Sequence, residues 1–201
     1  MAKSIISMPP AEELAAVEDG FYATAGFPDT IGTVDGTLVR ITRHTTLKAG
    51  SVARISLHYV PPGKHLLADA GYKIWGHMLT PFPEADATQD PRKRRYNKAH
   101  PRTRIVVECA FGRFQNRFRV LLGKLEQKTS DRICKVIMGC AVLHNMLTLM
   151  RDGLPIHGED PLLQDAPAPV SEDPVEREQA VCHQQGIAKR NDIADILMRC
   201  S

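Results

Sequence analysis

Three carboxylates stand out by residue type and setting: Asp35, Asp69 and Glu108. Asp35 sits inside Ile31-Gly-Thr-Val-Asp-Gly-Thr-Leu-Val-Arg-Ile41, a stretch rich in β-branched residues that reads as a strand, in which aspartate is a poor fit. Asp69 follows the apolar run Leu66-Leu67-Ala68 and precedes a turn at Gly71. The carboxyl ends of central strands are where open α/β sheets place their chemistry. Glu108 is a lone acid among arginines on a stretch with helical periodicity. Three converging carboxylate oxygens suit a hard divalent ion such as Mg²⁺ or Mn²⁺. Two such ions about 4 Å apart activate a water and stabilise the leaving oxygen of a phosphodiester under in-line attack. Each acid also has an ordinary reading. Asp35-Gly36 has the composition of a hairpin turn, and Glu108 is spaced for an i, i+4 ion pair with Arg104 on a solvated face.

Around Glu108 the charge is lopsided. From Arg92 to Lys124 there are eleven basic residues (Arg92, Lys93, Arg94, Arg95, Lys98, Arg102, Arg104, Arg113, Arg117, Arg119 and Lys124) against Glu108 alone. That block is net +10, so a chain of net +3 carries −7 elsewhere. A basic block this dense in an otherwise acidic chain is the electrostatic footprint of a polyanion partner, nucleic acid first among them. Arg92-Lys-Arg-Arg95 is also the kind of run that nuclear importers read.

The elements that must position these groups follow from pattern. Pro9-Pro10 opens a short helix over Ala11–Val17, with Glu12 and Glu13 in its first turn, ending near Gly20. Ile55, Leu57 and Tyr59 alternate with polar residues as in a short strand, and Met78-Leu79-Thr80 is a second apolar segment stopped by Pro81. His77 reads as structural. The span from Pro83 to Pro101 reads as a polar loop with proline at each end. A helix over Arg104–Leu122, capped near Gly123, puts Val107, Phe111, Phe114, Phe118 and Leu121 on a core-facing stripe and Arg104, Glu108, Gly112, Gln115 and Arg119 on another face. Thr129-Ser130-Asp131 supplies caps for a following helix whose apolar face includes Ile133, Val136, Ile137, Cys140, Leu143, His144 and Leu147. His144 reads as a buried, hydrogen-bonded histidine. From Gly153 to Glu178 prolines interleave with acids as in a disordered tail, and Gln184–Met198 reads as a weak terminal helix without chemistry.

The assembled pieces resemble the DDE nuclease domain of PIF/Harbinger transposases and the nucleases derived from them. The matching segments are Phe27-Pro28, Ile31-Gly-Thr-Val-Asp-Gly-Thr37, Leu66-Leu-Ala-Asp-Ala-Gly-Tyr72, Leu79-Thr-Pro-Phe82, Tyr96-Asn97, Arg104 with Val107-Glu-Cys-Ala-Phe-Gly-Arg113, Arg117-Phe-Arg-Val-Leu121 and Leu143-His-Asn145. The resemblance implies an α/β, RNase H-like core over residues 27–150, a nuclear location with the cytoplasm as a second place, and a divalent-metal nuclease with Asp35, Asp69 and Glu108 as its metal-binding triad. Arg92, Lys93, Arg94, Arg95, Lys98, Arg104, Arg113, Arg117 and Arg119 are the residues expected on DNA. Residues 1–26 read as an N-terminal helical remnant and 151–201 as the tail. The chain departs from the family between the first two aspartates, which lie 34 positions apart. The strand pair expected there is reduced to one short piece, and Lys48-Ala-Gly-Ser-Val52 looks like a remnant of it. An incomplete sheet, self-association and weak catalysis are the physical expectation, and a nuclear DNA- or protein-binding role without catalysis is the alternative. A separate DNA-binding partner is compatible with either.

Length and composition allow one domain with a proper core: 201 residues, 43 % of them hydrophobic. The five cysteines show no metal-finger spacing and read as reduced thiols. No stretch reads as a membrane span or a secretory leader, so the chain is expected to be soluble and intracellular.

Overall fold

The computed structural model describes residues 8–36, 39–40, 60–127, 129–151 and 176–199. The expected strand over Ile55–Tyr59 and most of the acidic tail lie outside the described residues. The chain divides into two compact units, one of Pro9–Asp35, Lys48–Val107 and Pro167–Ser201, the other of Met1–Met8, Gly36–Leu47 and Glu108–Ala166.

The first unit is built on a small parallel sheet. Helix α1 (Leu14–Ala25) leads into β1 (Thr30–Val34), and β2 (His65–Ala68) and β3 (Met78–Leu79) complete the order β1-β2-β3. Both pairings are parallel, with Val34 beside Ala68 and Leu67 beside Leu79. All four residues of β2 are buried, as expected of a central parallel strand covered on both faces. Because side chains alternate, Leu66 joins Ile31 and Val60 on one side, with Leu14 of α1 packed against them. Leu67 joins Phe27, Leu79, Phe82 and Tyr96 on the other.

Three boundaries differ from those read in the sequence. Helix α1 runs through Gly20 and stops at Gly26, whose left-handed backbone (φ 73°) lets its N–H reach Tyr22 O at 2.7 Å. Strand β1 ends at Val34, so Asp35 lies just past the strand and not within it. The expected polar loop from Pro83 to Pro101 is helical: α2 spans Glu84–Gln89 and α3 spans Pro91–Arg117. Asp90 accepts from the Arg92 N–H at 2.9 Å, and Pro91 begins the helix where a missing N–H is harmless. Pro101 removes one interior hydrogen bond. Burial offsets it, because Tyr96, His100 and Thr103 on the same helix are fully enclosed. Asn97 holds the neighbouring loop by pairing with both the N–H and the C=O of Phe82, each at 2.9 Å.

The terminal helix is also a correction. Helix α5 (Glu176–Arg199) is no weak appendage, since Ile193, Ala194 and Leu197 enter the core beside Phe27 and Tyr96. At Gly186 α5 lies against the turn before β3: a Cβ there would stand 2.7 Å from the Trp75 carbonyl carbon. Arg190 stacks over Phe82 at 4.1 Å and donates to Pro81 O at 2.9 Å.

In the second unit, α3 ends at Arg117 and a 3₁₀ turn over Arg119–Leu121 follows, so Gly123 does not cap the helix. Helix α4 (Ser130–Leu149) begins as expected, with the Thr129 side chain accepting from the Arg132 N–H. Of its apolar face only Ile133 and Cys140 are buried, while Leu143, Met146 and Leu149 are exposed. By length and composition α4 is apolar enough to cross a membrane, which the sequence reading did not anticipate. His144 is half-buried and packs edge-on against Phe114 at 5.5 Å. Burial, with Arg117 and Arg113 nearby, lowers its pKa. Its Nδ1 has no hydrogen-bond partner among the described residues, unlike the satisfied histidine expected.

Two outcomes test this packing. Gly186→Ala should destabilise the chain by about 1–3 kcal/mol in urea denaturation, because the new methyl meets backbone that cannot give. His100, stacked on Tyr96 at 5.7 Å, is held neutral chiefly by burial, its pKa lowered to about 4, and buried His65 is lowered too. The unfolded chain then binds more protons than the folded one below about pH 6.5. Stability should be full above that pH and fall as the pH drops toward 4, and His100→Phe should flatten the fall.

Candidate functional site

At the carboxyl ends of β1 and β2 the register decides what meets. Val34 pairs with Ala68, so the next residue of each strand, Asp35 and Asp69, leaves the sheet side by side. Both face one cation. The Arg104 guanidinium, on α3, reaches Asp35 Oδ1 through Nη2 at 3.0 Å and Asp69 Oδ1 through Nη1 at 3.3 Å. The Arg104 side chain is only 9 % exposed, against 21 % for Asp35 and 48 % for Asp69, so the site is closed on the helix side and open at Asp69.

Arg104 is therefore not the solvated-face residue that helical periodicity suggested. Arg104, Gly112 and Gln115 are buried, whereas Val107, Phe111, Phe114 and Phe118 on the supposed core stripe are only half-buried. The anticipated i, i+4 partnership with Glu108 gives way to bonds with the two aspartates. A largely buried guanidinium with two acids in reach gains more from the pair than from a single neighbour on its own helix.

Tyr72 completes the setting, and sequence reasoning passed over it. Its N–H bonds Asp69 O at 3.0 Å, closing the Asp69–Tyr72 turn. Burial raises the phenol pKa, the charges of Asp35 and Asp69 add to that, and Arg104 opposes it. The one signal was its place three residues after Asp69 in the turn. His100, one turn before Arg104 on α3, also senses the site: after burial, Arg104 lowers its pKa further while Asp69 acts the other way.

Glu108 opens the other compact unit, the boundary falling inside α3 after Val107. Among the described residues no group of three His, Cys, Asp or Glu side chains gathers closely enough to hold a metal ion. The donors that do meet, two carboxylates at a sheet edge, have the hard-oxygen chemistry that Mg²⁺ and Mn²⁺ take.

The basic block divides into two kinds of residue. Arg92 binds Asp90 at 2.8 Å and Asp195 of α5 at 2.7 Å, Lys93 binds Asp86 at 3.3 Å, and Arg94 donates to Ala87 O and Thr88 O. These three tie α3 to its neighbours. Arg95, Lys98 and Arg102 are exposed on the same helix, as are Arg113, Arg119 and Lys124 in the other unit, while Arg117 is half-buried.

A family model described as DDE superfamily endonuclease matches residues 39–145, a span that begins just after Asp35 and contains Asp69, Arg104 and Glu108. Among curated relatives, "Putative nuclease HARBI1" of Bos taurus is 26 % identical over 213 residues, covering 83 % of this chain and 58 % of that protein. The Mus musculus protein of the same name is 25 % identical over 211 residues, with 82 % and 58 % covered. "Protein ALP1-like" of Arabidopsis thaliana is 25 % identical over 89 residues, 44 % of this chain and 21 % of that protein. The chain thus spans less than two thirds of the length of these relatives. No solved structure matches it. With more than half of its length inside the family match, and Harbinger-derived nucleases among its relatives, the chain belongs to the DDE superfamily endonucleases.

Proposed function

We propose that the chain is the catalytic part of a divalent-metal-dependent DNA endonuclease of Harbinger transposase descent. The observation that carries this reading is the pairing of Asp35 and Asp69 at the carboxyl ends of adjacent parallel strands. Asp35 and Asp69 would hold Mg²⁺ or Mn²⁺, and Glu108 is the third ligand that the family resemblance supplies for a two-ion site. When bound, the metal supplies an activated water and charge stabilisation for the leaving oxygen. The residues of the chain do the rest. Buried β2 fixes the Asp69 backbone, and the Asp69–Tyr72 turn holds the carboxylate at the open side of the site. The exposed cations Arg95, Lys98, Arg102, Arg113 and Arg119 hold phosphates of the DNA backbone, which positions the duplex without reading its sequence. Sequence recognition then falls to a separate DNA-binding partner, and the place of action is the nucleus.

A second reading keeps the DNA contacts and drops the cleavage. It is favoured by the same ion pairs, because a guanidinium that neutralises Asp35 and Asp69 can serve as a purely structural clamp.

The two readings separate in a plasmid-nicking assay with Mn²⁺. The first predicts cleavage that disappears in Asp69→Asn and in Glu108→Gln, with the circular dichroism spectrum unchanged. Absence of cleavage by the unmodified chain, with DNA still bound, supports the second. For the interface, replacing Arg95 and Lys98 with alanine should lower the slope of log K against log[salt] by about 0.9 for each lost contact. Replacing Arg92 and Lys93, which are engaged with acids of the chain itself, should move the slope less.

A further inference from the structure

The two ion pairs of Arg104 make it a direct competitor of any cation that takes the same oxygens. Its two terminal nitrogens occupy Oδ1 of both aspartates, and its side chain is 9 % exposed. We infer that Arg104 is an exchangeable counter-ion of the Asp35–Asp69 pair, which a divalent ion must displace and which thereby sets the threshold for metal entry. The inference rests on the metal reading of this site given above.

Side by side at the sheet edge, Asp35 and Asp69 repel unless a positive charge lies between them, and the guanidinium supplies it. Each charge-assisted bond it makes is stronger than a neutral one, so an incoming ion must replace both before it gains its own ligands. The neighbourhood adds to the penalty of leaving Arg104 unpaired. Its Nε has no hydrogen-bond partner among the described residues, and the buried His100 ring one turn away is held neutral and offers no charge. A displaced guanidinium therefore needs water or a substrate phosphate to pair with it again, because a buried unpaired charge is strongly unfavourable. Were Arg104 only a clamp, its removal would loosen the aspartates and weaken metal binding. As a competitor, its removal strengthens it.

The sign of that change is the test. Mn²⁺ affinity is measured by calorimetric titration of the whole chain, beside Arg104→Gln, which removes the charge, and Arg104→Lys, which keeps it but cannot fork to both acids. Exchange predicts Mn²⁺ binding about tenfold tighter or more in Arg104→Gln, with Arg104→Lys between it and the unmodified chain. Thermal melts should show the companion effect: Arg104→Gln melts lower than the unmodified chain in chelator and gains more from Mn²⁺. Equal or weaker Mn²⁺ binding in the folded variants overturns the exchange while leaving the metal site standing. If Arg104→Gln fails to fold, Arg104→Lys decides by the same sign. Absence of Mn²⁺ binding by all three chains overturns the metal reading itself, and the exchange with it.

Discussion

The two ion pairs of Arg104 with Asp35 and Asp69 are the constraint on which the site depends. They tie the ends of two parallel strands to a long helix at the place where like charges would otherwise push the strand ends apart. Everything needed to make that contact is a packing result. Strand β2 is buried on both faces, so Asp69 is delivered at a fixed point. Helix α3 is seated by Tyr96, His100 and Thr103, which brings Arg104 to the sheet edge from the side of the core.

That seating explains the division of labour along α3. Its first turns are tied to α2 and α5 through Arg92, Lys93 and Arg94, so much of the densest basic run serves the fold. Arg95, Lys98 and Arg102 on the same helix are exposed. A count of charges along the chain cannot separate these groups, because the acids that engage the first are Asp86, Asp90 and distant Asp195.

Part of the setting was legible in local pattern: the apolar run before Asp69 is a strand, and a strand also leads to Asp35, although it ends at Val34 and does not run past the aspartate. What local pattern missed was set by tertiary contact. Pro101 reads as a helix breaker, yet it lies inside α3 because the residues around it are enclosed. The C-terminal helix has a weak apolar pattern, yet three of its side chains complete the core. Helical periodicity put Arg104 on a solvated face, since it weighs charge against water and has no knowledge of two acids arriving from other strands.

The central claim is that Asp35 and Asp69 form the cradle of a metal ion now spanned by Arg104. Anomalous diffraction from crystals of the chain soaked in Mn²⁺ tests it most directly. The account predicts a Mn²⁺ peak bound by carboxylate oxygens of both Asp35 and Asp69, with the Arg104 guanidinium moved off them. A peak elsewhere, with both ion pairs of Arg104 intact, would contradict it.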